Sequence, residues 1–209
     1  MIRISIVVVI VFGLICSKFM DCTLTLKDGE CMRDKSFEWT EAINKPLRDN
    51  YWAVKKVDKW GRAWSDYMLI IHGFEFDFLQ IGAQICMLKY GWKSITILWT
   101  MILFYGVRGV IQANFILSRT EVGYIYFDPG WPNITSPYLD ILDFYYSGHI
   151  GNMFIYTFEF YRKGHKTIAF IGFLSWLSMW PLLVLTRVHY WIDLTTGCIV
   201  AHWCCMMSE

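Results

Sequence analysis

The chain has 209 residues, of which 56% are hydrophobic, 18% aromatic and 18% charged, and its formal charge is +1. That is more apolar side chain than a soluble domain of this length carries, and the near-neutral balance excludes recruitment of nucleic acid by a basic field. Length alone implies one domain.

The first apolar stretch, residues 4–17 (ISIVVVIVFGLICS), follows Arg3 and fits either a retained membrane helix or a secretory signal. Residues 1–21 are therefore read as an N-terminal transmembrane helix or signal anchor, and either reading places the following chain across the membrane. Residues 22–65 are polar, with nine basic and seven acidic side chains, and are expected to be a lumenal or interfacial segment without chemistry of its own. Residues 66–209 form the expected membrane core. A stretch at about 67–88 is interrupted by His72, Glu75 and Asp77. Two readings of Glu75 and Asp77 stay open there, a cavity lining or an interfacial position.

Residues 94–107 (SITILWTMILFYGV) continue past Arg108 to about Leu117. A shorter stretch begins near Phe144 and stops at Arg162; its Glu159 is expected to snorkel or cap. Residues 167–185 (TIAFIGFLSWLSMWPLLVL) carry no charge and make about 28 Å of helix, close to a bilayer core. The last stretch, roughly 189–207, holds Asp193 and His202. The expected architecture is thus all-α, a multi-pass transmembrane bundle of about six helices. The seven cysteines lack metal-type spacing and read as apolar filler. Cys22 and Cys31 suit a disulfide only if their segment is lumenal.

Orientation follows from the short loops. The turn 161–166 (YRKGHK) and the lysines at 89 and 93 face the cytosol, with His165 expected in solvent. The loop 118–146, which holds the sequon Asn133-Ile134-Thr135, then faces the lumen or exterior. Lys55, Lys56, Lys59 and Arg62 run against this assignment, but they lie on a long loop, where the rule is weak.

This topology brings two distant motifs to one membrane face. DFYYSGH (residues 143–149) opens one helix at the lumenal side, and RVHYWID (residues 187–193) opens another at the same side. His189 and Asp193 are spaced i, i+4, which puts them on one helical face. A carboxylate there accepts a hydrogen bond from one imidazole nitrogen and leaves the other free to attack. His149 opposite is placed to protonate a leaving oxygen. Ser147 and Gly148 at a helix start offer donors to an anion, and Arg108 and Arg187 add charge suited to phosphate. A lone histidine near a helix end is usually a satisfied interfacial residue. Two histidines, an aspartate and an arginine converging at membrane depth point instead to phosphoryl-type transfer through a phosphohistidine. No glycine-rich phosphate loop or carboxylate cluster asks for a nucleotide, metal or other cofactor.

DFYYSGHIGN resembles the D-x-x-x-S-G-H element of the sphingomyelin synthase family. HYWID resembles its H-Y-T-x-D element, with Trp191 where threonine is usual, and FYGVR, ending at Arg108, is similar to its Y-x-x-R element. The longer run TRVHYWIDLTTG is similar to the phosphatidylcholine:diacylglycerol cholinephosphotransferases. The likeness spans residues 66–207 and is specific in the two histidine motifs. It implies a six-helix, metal-independent lipid phosphotransferase of the type-2 phosphatidic acid phosphatase superfamily. His189 is then the nucleophile, Asp193 its orienting partner, His149 the general acid, and Asp143 a member of the same motif. The partners implied are membrane lipids: phosphatidylcholine or another phospholipid as donor, diacylglycerol or ceramide as acceptor. The membrane implied is endoplasmic reticulum, Golgi or plasma membrane, and six spans favour a retained first helix. The alternative is a lipid phosphate phosphatase. Those enzymes carry a K-x6-R-P motif, absent here, and place arginine six residues before the nucleophile, where this chain has Leu183.

Overall fold

A computed structural model describes residues 34–47, 64–90, 95–114, 145–185 and 187–208. Among them all regular structure is helical: α1 (Lys35–Leu47), α2 (Trp64–Tyr90), α3 (Ile95–Asn114), α4 (Gly148–Arg162), α5 (Lys166–Leu185) and α6 (Trp191–Met207), with no strand. Five of the six apolar stretches are helices. The sixth, residues 4–17, lies outside the described residues, as do Cys22, Cys31 and the sequon. The sixth helix observed is α1, which arises from the segment expected to be merely polar.

The ends of the helices follow local chemistry. α4 starts at Gly148 rather than near Phe144 because the Ser147 side chain accepts a hydrogen bond from Ile150 N–H, satisfying a first-turn donor. It ends where Lys163 N–H returns to Glu159 O and Gly164 takes φ +82°, a left-handed value open to glycine. The Glu159 carboxylate pairs there with Arg162 and Lys163, each at 3.6 Å. His165, expected in solvent, instead lies half-buried with its ring against Phe160.

α4 is the central helix. It packs against α2, α3, α5 and α6 and buries Ile150, Met153, Ile155, Tyr156 and Phe160. Each such side chain contributes about 1.5–3 kcal/mol when fully withdrawn from water. α5 behaves differently. It buries Ala169, Met179, Leu182 and Leu183 inward, while Phe170, Ile171, Phe173, Leu174 and Leu177 remain exposed on the opposite side. A helix apolar all round needs an apolar surround. Among the described residues α5 is the one helix long and apolar enough to cross a membrane, and Thr96–Ile111 is a shorter apolar helix.

Candidate active site

α5 ends in a turn that leads into the HYWID motif. Val188 N–H donates to Leu183 O at 3.1 Å and Arg187 N–H to Val184 O at 3.2 Å. These are the paired bonds of a Schellman closure. Arg187 occupies its left-handed position at φ +56°, where glycine is usual. The chain then turns through His189 and Tyr190 and enters α6 at Trp191.

Here the two motifs meet. Ser147 N–H donates to the Asp193 backbone carbonyl at 3.1 Å, tying the start of α4 to the start of α6. Gly197 makes this approach possible, because a Cβ there would lie 2.5 Å from the Ser147 carbonyl oxygen. His189 Nδ1 hydrogen-bonds Asp193 Oδ2, with both residues buried. That commitment leaves Nε2, which faces His149 Nδ1 at 3.2 Å. The rings meet edge to face with centroids 5.3 Å apart. A carboxylate accepts the Nδ1 hydrogen, so Nε2 carries the lone pair. The hydrogen between the rings then belongs to His149.

Arg108, near the end of α3, completes the group. Its Nε–H donates to Tyr146 O at 3.1 Å, and Tyr146 in turn meets the Phe104 ring edge to face and donates its hydroxyl to Phe104 O at 3.2 Å. The Arg108 guanidinium lies over Gly148, where a Cβ would sit 3.1 Å from its Cζ. Its positive charge reaches His149, His189 and Asp193. Fixed charge beside two imidazoles and a helix N-terminus suits an anionic group held next to the ring pair.

Three of the expected site residues stand differently. Arg187 does not join the histidines. Its guanidinium turns away to α1, where Nη2 bonds Phe37 O at 2.6 Å and Glu41 at 2.9 Å and the group lies 4.1 Å from the Phe37 ring centroid. The left-handed turn at this residue directs the side chain outward from the site, so its role as a phosphate ligand is corrected to a structural one. The Ser147 hydroxyl, expected to face an anion, accepts from Ile150 N–H as the helix cap. Asp143 lies outside the described residues. Glu75, left between two readings, pairs with buried His72 at 3.2 Å on α2. It also contacts Ser175 on α5, away from the histidine pair.

Sequence reasoning missed two contributors. Gly197 was visible only as part of LTTG. The face of α1 that meets the α5–α6 connection was hidden because most of its contacts are polar, with Phe37 supplying the aromatic one. Among the described residues no three His, Cys, Asp or Glu side chains group as metal ligands. Compared with family models, curated proteins and solved structures, the chain matches none.

Proposed function

We propose that this chain is a multi-pass membrane lipid phosphotransferase. It moves a phospho-head group, taken here as phosphocholine, from a glycerophospholipid to diacylglycerol or ceramide. The active site faces the lumen or exterior of the endoplasmic reticulum, Golgi or plasma membrane. The observation that carries this reading is the His189 ring, with Nδ1 held by Asp193 and Nε2 aimed at His149. The apolar outer surface of α5 supports the membrane setting. The resemblance of the SGH and HYWID motifs to the sphingomyelin synthase family supports the substrate class.

In this mechanism the phosphodiester binds beside Arg108 and replaces the direct hydrogen bond between the two rings. His189 Nε2 attacks phosphorus, and the bond from phosphorus to the glycerol oxygen breaks. His149, as the imidazolium, gives its Nδ1 proton to that oxygen and is left neutral, and diacylglycerol leaves. The head group remains on His189 as a phosphoramidate. An acceptor hydroxyl then passes its proton to His149 and attacks phosphorus, and the bond from phosphorus to nitrogen breaks. Water must be kept out, or the same steps hydrolyse the donor.

The test uses the purified chain in vesicles with head-group-labelled phosphatidylcholine, fluorescent ceramide or diacylglycerol, and chelator. Label on an acceptor lipid is the expected result. Release of water-soluble phosphocholine or phosphate instead would replace the transferase with a hydrolase.

A further inference from the structure

One face of α1 follows the connection between α5 and α6 almost residue by residue. Asp34, Phe37, Glu41 and Asn44 are spaced three, four and three apart, which aligns them along a helix. They run antiparallel to the connection. Asn44 Nδ2 donates to Leu185 O, one of the free carbonyls at the end of α5. Glu41 and the Phe37 carbonyl take the Arg187 guanidinium. The Phe37 ring stacks on Tyr190, centroids 5.6 Å apart.

Asp34 works at two helix starts. Its Oδ1 accepts Ser36 N–H at 2.8 Å and caps α1, while its Oδ2 accepts Trp191 N–H at 2.6 Å. α6 has Tyr190 at its N-cap position and receives no hydrogen bond from that side chain. Asp34 therefore supplies the cap that α6 lacks, and a carboxylate there also favours the helix dipole. His189 and Asp193 sit within two residues of these contacts.

We propose that α1 is a splint for the nucleophile. Its inner face holds the left-handed Arg187 and the first turn of α6, and so sets the position and tautomer of His189. Glu41, Asn44 and Asp34 are positioning residues in this account, which rests on reading His189 as the nucleophile. A left-handed arginine is a conformation that persists only where surroundings over-determine it, and α1 contributes that constraint from outside the membrane core.

The experiment uses the full chain in lipid nanodiscs with ring-15N histidine, comparing wild type with Glu41→Ala, Glu41→Gln and Asn44→Ala. In the wild type the two ring nitrogens of His189 give widely separated resonances, as a fixed tautomer does. In Glu41→Ala and Asn44→Ala the resonances move together. The accompanying fall in kcat is on the order of 10- to 100-fold, with KM for phosphatidylcholine within about twofold, the pattern of lost positioning. Glu41→Gln keeps an acceptor and recovers part of both signals. If Glu41→Ala does not fold, Glu41→Gln and Asn44→Ala read the same quantities. Unchanged His189 resonances in the folded variants would overturn the splint, whatever happens to turnover. Resonances that shift in a chain without any transfer activity would keep the splint and remove the proposed function.

Discussion

His189 has one nitrogen committed and one presented, and each commitment makes a different variant informative. Asp193→Asn keeps shape but offers an amide where a carboxylate accepted the Nδ1 hydrogen. The wrong tautomer becomes available, and kcat should fall by on the order of 10⁴-fold, the scale for losing the orienting acid of such a dyad. Membrane insertion should be unaffected, and steady-state transfer in vesicles checks both. His149→Ala should separate substrates. With phosphatidylcholine the leaving alkoxide needs a proton, so the loss should be on the order of 10²- to 10⁴-fold. With nitrophenyl phosphocholine the leaving group needs little help, and most activity should survive. Equal losses on the two donors would remove His149 from the acid role. These residues were legible because spacing and topology alone bring SGH and HYWID to one face. Arg187 was misread because the sequence places a cation two residues before His189, while only the φ of +56° and the contacts with α1 reveal where it points.

At the scale of elements, the end of α5 is the most constrained part of the site. Arg187→Gly sets two effects against each other. Glycine relieves a left-handed conformation costing about 1–2 kcal/mol in other residues. It also deletes two charge-assisted hydrogen bonds to α1, each worth about 1.5–3 kcal/mol, and the stacking on Phe37. The second effect is larger, so Arg187→Gly should lower the midpoint of thermal unfolding in detergent. A more stable variant would contradict the assignment of Arg187 to the α1 contact. The helices themselves were legible because long apolar runs need few other signals. The starts of α4 and α6 were not, since Ser147 and the Schellman turn move them inward by two to four residues from the hydropathy boundaries. α1 escaped notice for a physical reason: Asp34, Glu41 and Asn44 dock by hydrogen bonds and an ion pair, which leave no apolar period in the sequence.

For the whole molecule, α4 gathers α2, α3, α5 and α6 around it, and the chemistry collects where α3 and α5 end and α4 and α6 begin. Among the described residues the all-helical architecture was legible from the long apolar runs. The apolar outer face of α5 agrees with a bilayer surround, and the proposed orientation places the site end in the lumen or exterior. The sequon, outside the described residues, is expected on that same side from the loop charges. A glycan at Asn133 should therefore appear in a eukaryotic host and vanish in Thr135→Ala. A glycan that persists in the variant would move the modification elsewhere, and a chain never modified would count against the lumenal loop.

The most direct test of the account is to trap the intermediate on His189. The chain in lipid is mixed with choline-labelled phosphatidylcholine without acceptor, quenched in alkali and digested. The account predicts acid-labile label on the peptide holding His189, absent from His189→Ala and discharged when diacylglycerol or ceramide is added before quenching. Transfer that proceeds with no label on His189, or with label on another residue, would contradict it.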